Sequence, residues 1–228
     1  MKSYRIILIP AYNEEENIQE IILRAKKTKA FDKIIVVDDG SIDRTSLLAK
    51  KSKAIVLKHK KNRGKGEALK TGFKYILKRI SNFDYVAIID ADLQYTPEES
   101  VKLIKSIKNT DFVIGYRNFS KVPFRHKLGN IVWRKTFNLL FGTSFKDTNC
   151  GLMVMTKKSV EKMDIQGGYI VENSMLASAI ENKLKIKQVP VSVSYKKIST
   201  ISRGIKVVVA VLLFIVKRGL KYRLSFLC

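Results

Sequence analysis

Residues 4–14 read YRIILIPAYNE: an apolar, largely β-branched run, Tyr4–Ile9, stops at Pro10, and Tyr12, Asn13 and Glu14 follow at once. A run without polar alternation fits a strand buried on both faces, as in a parallel sheet covered by helices. With only about four apolar residues before the acids begin, the segment is too short for the hydrophobic region of a signal peptide and reads as a buried strand. Similar runs recur at Lys33–Val37, Ala54–Leu57, Tyr85–Ile89 and Phe112–Ile114, separated by segments of helical spacing. That alternation predicts βαβ units and a mostly parallel α/β sheet with helices on both faces. Asn13 with Glu16 forms a capping-box-like helix start, and Pro97 before Glu98 and Glu99 forms another.

Open α/β sheets bind ligands beyond the carboxyl ends of their strands. The polar clusters fall there: PAYNE (10–14) after the first run, DDGS (38–41) after the second, DADLQ (90–94) after the fourth. Three strand ends are thus expected to converge on one crevice.

The 228 residues, 46% of them hydrophobic, suffice for one domain of substantial size. Lys and Arg number 44 against 20 Asp and Glu, a net charge of +24, which points to an anionic partner: nucleic acid, an acidic membrane surface or phosphorylated substrates. A basic nucleic-acid-binding protein is the non-enzyme alternative. Against it, the acids gather at strand ends and no recognised nucleic-acid module is present, so no nucleic-acid partner is expected. Two cysteines, Cys150 and Cys228, make neither a disulfide framework nor a metal-ligand spacing, which suits a reducing cytoplasm.

From about Tyr116 the alternation gives way to a basic, less regular region with helices expected at Lys127–Leu140 and Val171–Asn182 and a loop KDTNCG (146–151) between them. The last segment, SRGIKVVVAVLLFIVKRGLKYRLSFLC (202–228), differs again. Its uninterrupted apolar core, Val207–Val216, is about ten residues where a bilayer span needs about 20. Lys206 on one side and Lys217, Arg218, Lys221 and Arg223 on the other fit an amphipathic helix held at anionic headgroups. A helix packed on the domain or on another subunit fits the same segment.

Asp90 and Asp92, at i and i+2 beyond a strand, can both face a ligand. Hard oxygen ligands of this kind suit Mg²⁺ or Mn²⁺, which takes one or two carboxylates and completes its shell with water and substrate phosphates. Strand-end aspartates also simply cap the next helix. Gly64 and Gly66, flanked by Arg63 and Lys65 ahead of a helix, can offer backbone amides and positive charge to an anion, without the spacing of a P-loop.

IPAYNEEENI (9–18), VVDDGSIDRT (36–45), NRGKGEALKTGF (62–73), IIDADLQYTPE (88–98), VIGYR (113–117) and DTNCGL (147–152) occur in this order. Together they resemble the inverting glycosyltransferases of family 2, most of all the dolichyl-phosphate mannose and glucose synthase branch. The resemblance covers residues 4–204 and implies a GT-A fold, Rossmann-like, over 1–202. Residues 1–115 would be the nucleotide-sugar half, 116–202 the acceptor half, and 203–228 a basic, apolar C-terminal helix or tail. It implies a hexosyltransferase moving mannose or glucose from GDP-mannose or UDP-glucose to dolichyl or another polyprenyl phosphate, with Mg²⁺ or Mn²⁺. Family 2 transferases that extend a glycan at a hydroxyl are the alternative. The place implied is cytoplasmic, peripheral at the inner face of a membrane, with a membrane partner protein or the tail as anchor.

Residue by residue, the resemblance sets Pro10, Tyr12 and Glu14 against the base and ribose, with Asp39 beside them; DDGS also fits an ordinary turn. Asp90, Asp92 and Gln94 would be metal and diphosphate residues, with Ala91 between them and Lys65 near the nucleotide. Lys197, Ser202 and Arg203 stand at the spacing of a basic residue and turn that close over the diphosphate. Here lysine replaces the family's arginine, and the turn glycine is missing. On the acceptor side, Arg117 matches a phosphate-binding arginine, and Arg125, Lys127 and Arg134 lie where the family places further phosphate contacts. A phosphate monoester is largely dianionic at neutral pH, so it needs fixed cations rather than a base. A hydroxyl acceptor needs a carboxylate, for which Asp147 is the candidate. With a phosphate acceptor, Asp147 and Glu172 would orient arginines or donor hydroxyls. His59 and His126 show no partner pattern and read as ordinary residues.

Overall fold

The computed structural model describes residues 3–80, 82–118, 124–194 and 205–226, with side chains at 124–128 and 205–206 excepted. The side chains of Arg125, His126, Lys127 and Lys206, and residues Lys197, Ser202, Arg203 and Cys228, therefore lie outside the described part.

Each apolar run forms a strand and each helical segment a helix: β1 (Tyr4–Ala11), α1 (Ile18–Lys27), β2 (Lys33–Asp38), α2 (Thr45–Lys51), β3 (Ile55–Lys58), α3 (Lys65–Arg79), β4 (Phe83–Ile88), α4 (Pro97–Ile104) and β5 (Phe112–Arg117). The second half adds α5 (Phe124–Phe141), β6 (Met153–Met155), α6 (Lys157–Lys162), α7 (Val171–Glu181), β7 (Ile186–Val191) and α8 (Ile205–Leu224). The strands make one sheet in the order β3-β2-β1-β4-β6-β5-β7. β6 runs antiparallel to both of its neighbours, while the other pairings are parallel. Because β6 reverses direction twice over, β4 and β5 still point the same way. The carboxyl ends of β1, β2, β4, β5 and β7 therefore open at one edge of the sheet.

Ile6–Ile9 of β1 and Ile35–Val37 of β2 are wholly buried, as strands covered on both faces require. Helix α1 buries Ile18, Ile21, Ile22 and Ala25, the i, i+3, i+4, i+7 stripe of an amphipathic helix. Pro97 opens α4 at its first turn, as the sequence predicts.

Two expectations change. Helix α1 starts at Ile18, with Asn17 at its cap, so Asn13 and Glu16 form no capping box. Asn13 instead adopts a left-handed conformation (φ 54°) and accepts a hydrogen bond from the Ile42 amide at 3.1 Å, tying the loop after β1 to the loop after β2. Strands β6 and β7 were absent from the apolar runs. β6 is three residues long, and β7 is a half-exposed edge strand reading IKQVPV, with a proline of the kind edge strands tolerate. Helix α8 packs one side on α5: Val211 and Ile215 are fully buried, Trp133 Nε1 donates to the Val208 carbonyl at 3.1 Å, and Tyr222 stacks on Phe141. Arg223 donates to the carbonyls of Leu139 and Leu140, both at 2.8 Å, satisfying the last turn of α5. Among the described residues no helix is long and apolar enough to cross a membrane.

A candidate nucleotide-sugar cleft

In the sheet order β1 is flanked by β2 on one side and β4 on the other, so the chain's progression reverses between β1 and β4; this is the switch point where such sheets bind ligands. A cleft of about 250 Å³ opens there. Pro10, Tyr12, Glu14, Asp39, Lys65, Asp90, Ala91 and Asp92 all line it, from four separate segments, together with Asn62, which the sequence did not single out.

The loops around the cleft are stitched to each other. The amides of Asn13 and Glu14 donate to Ser41 Oγ and Thr45 Oγ1 at 2.9 and 2.8 Å, and that of Glu15 to Asp43 at 3.1 Å. Asp38, fully buried, accepts from the Ser41 amide at 2.9 Å and from the Ser46 hydroxyl. Burial pushes its carboxyl up, but these hydrogen bonds and Lys58 outweigh burial and hold it below the usual carboxylate range.

Asp39 clamps the glycine loop. Its carboxylate accepts from the amides of Arg63 at 3.0 Å and Gly64 at 2.6 Å, and from His59 Nδ1 at 2.6 Å. The other nitrogen of His59 lies 2.8 Å from Thr71 Oγ1 on α3. His59 thus corrects its reading as an ordinary residue, since it is buried and holds Asp39 in place. Sequence spacing gave no sign of it, because its partners sit 20 and 12 residues away. Gly40 is required between them: at φ +80°, a Cβ there would come within 2.4 Å of the Lys61 backbone.

Lys65, at the start of α3, is the electrostatic centre of the cleft. Its Nζ lies 2.5 Å from Asp90 Oδ1 and 2.7 Å from Glu172 Oε1 on α7. Burial disfavours the ammonium, but the two carboxylates outweigh burial and raise its pKa well above the ordinary value. Burial pushes the Asp90 carboxyl up to about 6; Lys65 opposes the rise, and Asp92 and Glu172 add to it. The Asp92 carboxyl is raised too, by burial and by Glu14, against the Gln94 amide that donates to Asp92 Oδ1 at 3.0 Å. Gln94 takes part through its backbone: its amide caps Asp92 and its carbonyl accepts from Ser194 at 2.9 Å, and the residue does not line the cleft.

The acceptor-side residues form a second cluster. Arg117, at the end of β5, makes a two-pronged contact with Asp147, Nε to Oδ2 at 2.6 Å and Nη2 to Oδ1 at 3.0 Å. Their side chains are 13% and 1% exposed, so this is a buried ion pair. With both Asp147 oxygens taken by the guanidinium, and Oδ1 also accepting from the Asn149 amide, the candidate base is engaged in holding an arginine. Arg134 is not among the residues lining the cleft; its Nη1 donates to the Lys146 carbonyl at 3.1 Å, and Gln188 holds the same loop at Lys146 N and Asp147 O. The loop then runs back to the cleft: a Cβ on Gly151 would stand 2.2 Å from Asp90 Oδ2, so only glycine permits that approach. Behind it Tyr95 and Cys150 are buried against each other, and burial pushes the thiol up to about 12, which leaves it inert.

Asp90 and Asp92 fit a divalent ion as a donor set of hard oxygens. Among the described residues no group of three or more acids, histidines or cysteines could hold a metal by itself, so an ion here would complete its shell with water and substrate phosphates.

The profile of Glycosyl transferase family 2 matches residues 6–163. UDP-N-acetylglucosamine--dolichyl-phosphate N-acetylglucosaminyltransferase of Methanococcus voltae is 30% identical, over 91% of this chain and 92% of its own length. Polyprenol monophosphomannose synthase of Mycolicibacterium smegmatis is 28% identical, over 85% and 78%. The fold matches the crystal structure of glucosyl-3-phosphoglycerate synthase from Mycobacterium tuberculosis in complex with Mn²⁺, UDP and phosphoglyceric acid. That match has a TM-score of 0.77 at 21% identity and covers 95% of this chain and 78% of that one.

Proposed function

This chain belongs to glycosyl transferase family 2, and from that premise we propose that it moves a hexose from a nucleoside diphosphate sugar to polyprenyl phosphate, with inversion, at a membrane surface. The observation that carries the acceptor is the Arg117–Asp147 fork. A phosphate acceptor brings its own negative charge and nucleophilic oxygen, so it asks for a held cation and no base. Asp147 serves that arrangement by fixing the guanidinium, and a hydroxyl acceptor would need it free. The names of the relatives support this reading, one naming dolichyl phosphate and the other polyprenol monophosphomannose.

Tyr12 and Glu14 would receive the ribose and base, with the loop of Asn62–Gly64 held against them by Asp39. Asp90 and Asp92 would hold Mg²⁺ or Mn²⁺, which when bound supplies charge to steady the departing diphosphate. Lys65 adds a fixed positive charge beside that diphosphate, and Glu172 and Asp90 keep it aimed into the cleft. Attack by the acceptor oxygen on the anomeric carbon forms the new bond as the bond to the nucleoside diphosphate breaks, so the sugar inverts. Residues 1–115 would act as the donor half and 116–202 as the acceptor half. The chain would work as a peripheral membrane protein on the cytoplasmic side, because its acceptor is anchored there. The sugar differs between the two named relatives, one naming N-acetylglucosamine and one mannose, so both GDP- and UDP-linked donors belong in the test.

The experiment is transfer of radiolabelled sugar from GDP-mannose, UDP-glucose and UDP-N-acetylglucosamine, with Mg²⁺ or Mn²⁺, to dolichyl phosphate in detergent. Label extracted into organic solvent identifies donor and acceptor together. Metal-dependent hydrolysis of a donor without organic label points instead to a hydroxyl acceptor.

A further inference from the structure

Away from the cleft, a groove of about 770 Å³ lies between α7 and the C-terminal half of α8. Phe214, Tyr222 and Phe226 give it an aromatic floor, and Lys183, Lys217 and Lys221 stand around it. Arg218 also lines it. This side chain is only 11% exposed; its Nε and Nη2 lie 2.9 and 2.7 Å from Glu181, and Nη2 lies 3.2 Å from Asp164. Its Nη1 is buried without a hydrogen-bond partner among the described residues. A guanidinium N–H shut off from water and left unpaired is costly, so a ligand oxygen that it could donate to would relieve that cost. Counting the groove's charges, four cations face two carboxylates, an excess that favours an anion.

The same helix carries a second feature. Val209, Leu213, Val216, Leu220 and Leu224 are all exposed, Leu213 at 65% and Leu224 at 59%, and they recur at i, i+4, i+7, i+11 and i+15. They form one stripe about 22 Å long, opposite the buried Val211 and Ile215. Lys217 and Lys221 run along the border between stripe and groove, so an apolar surface and an anion-binding rim lie side by side on α8.

We propose that this face docks on a bilayer of anionic phospholipids: the stripe rests in the interface while a lipid headgroup phosphate enters the groove between Lys217, Lys221 and Arg218. The proposal rests on the membrane reading above and names the surface and lipid class that serve it. Charge decides between occupants. Two copies of a chain carrying +24 repel one another, whereas an anionic leaflet attracts it. A purely apolar protein partner would leave the groove's cations and the buried Nη1 unmatched.

The test is flotation of the full chain with vesicles of phosphatidylcholine, with and without phosphatidylglycerol. Binding is expected only with phosphatidylglycerol. It should fall about tenfold or more in Lys217→Glu/Lys221→Glu and in Leu213→Glu/Leu220→Glu, exposed positions whose variants keep the native circular dichroism. Equal binding to neutral vesicles, no binding by the native chain, or unchanged binding by the lysine variant overturns the proposal. So does a lipid-free dimer of the native chain that the leucine variant makes monomeric, which would assign the stripe to a second copy. Transfer to a short, water-soluble prenyl phosphate is measured on the same proteins. It is expected to be unchanged in the variants, so loss of docking with transfer intact concerns this surface alone. Absence of transfer in the native chain concerns the proposed function alone.

Discussion

The two ends of the sheet's open edge are built differently. At β1, β2 and β4, each side chain at the cleft follows its strand within a few residues and is held by the neighbouring loop. At β5 and β7, Arg117 is held by Asp147, 30 residues on and ahead of an antiparallel strand, and that loop is in turn held by Gln188 and Arg134. The first region is fixed mainly by short connections and backbone amides, with Lys65 bridging Asp90 to Glu172 beside them, the second by a buried charge pair and long-range side-chain contacts. Damage to the first should therefore show in chemistry, and damage to the second in both chemistry and stability.

The sharpest way to break this contrast is Asp92→Asn, expected to lower transfer by about 10²–10³-fold or more with the melting temperature within the range of surface substitutions. A large loss of stability in that variant would erase the distinction. Asp147→Asn is expected to strand the buried Arg117 charge and cost about 3–5 kcal/mol of stability, read by urea titration, along with loss of transfer. If stability is unchanged and only the rate falls, with an altered pH profile, Asp147 acts as a base after all. Gly151→Ala joins the two regions, because its methyl group would displace Asp90; transfer should drop about 10- to 100-fold with folding retained. His59→Ala loosens Asp39 and the glycine loop, and a rise of about tenfold in donor KM with a smaller change in kcat is expected. An unchanged KM would mean that the Arg63 and Gly64 amides suffice.

The smallest effect concerns pH. The folded pKa of Asp38 lies below its unfolded value, about 3.9, so its carboxylate stabilises the fold above that pH and the contribution is lost as pH falls through the folded value. In thermal melts between pH 6 and pH 3, Asp38→Asn should lose less stability than the native chain. An identical slope would place the acid sensitivity elsewhere.

How much could be read in advance follows the same divide. The apolar runs gave five strands and their carboxyl ends, and Pro10, Tyr12 and Glu14 of PAYNE, Asp39 of DDGS and Asp90, Ala91 and Asp92 of DADLQ do meet in one cleft, because short βα connections keep sequence neighbours near their strand. What escaped was set by distance along the chain. Nothing near His59 reveals that it will meet Asp39, and no local pattern pairs Lys65 with Glu172, 107 residues away. β6 was hidden by its length and β7 by its polar edge. Gln94 shows another limit: residue type suggested a side-chain role where the backbone amide is what the turn uses. For the C-terminal segment, the packed-helix alternative describes the face of α8 that meets α5, while the opposite face carries exposed apolar side chains whose use is the subject of the proposal above.

The proline of β7 carries a further consequence. A sheet's outer strand is a template onto which another chain can add, and sheets with long bare edges are prone to fibrous association. Here one outer strand contains Pro190, which offers no amide, with Lys185 and Lys187 beside it; the other, β3, is four residues long and ends in Lys58. Both margins are blunted, so the sheet resists growth by strand addition.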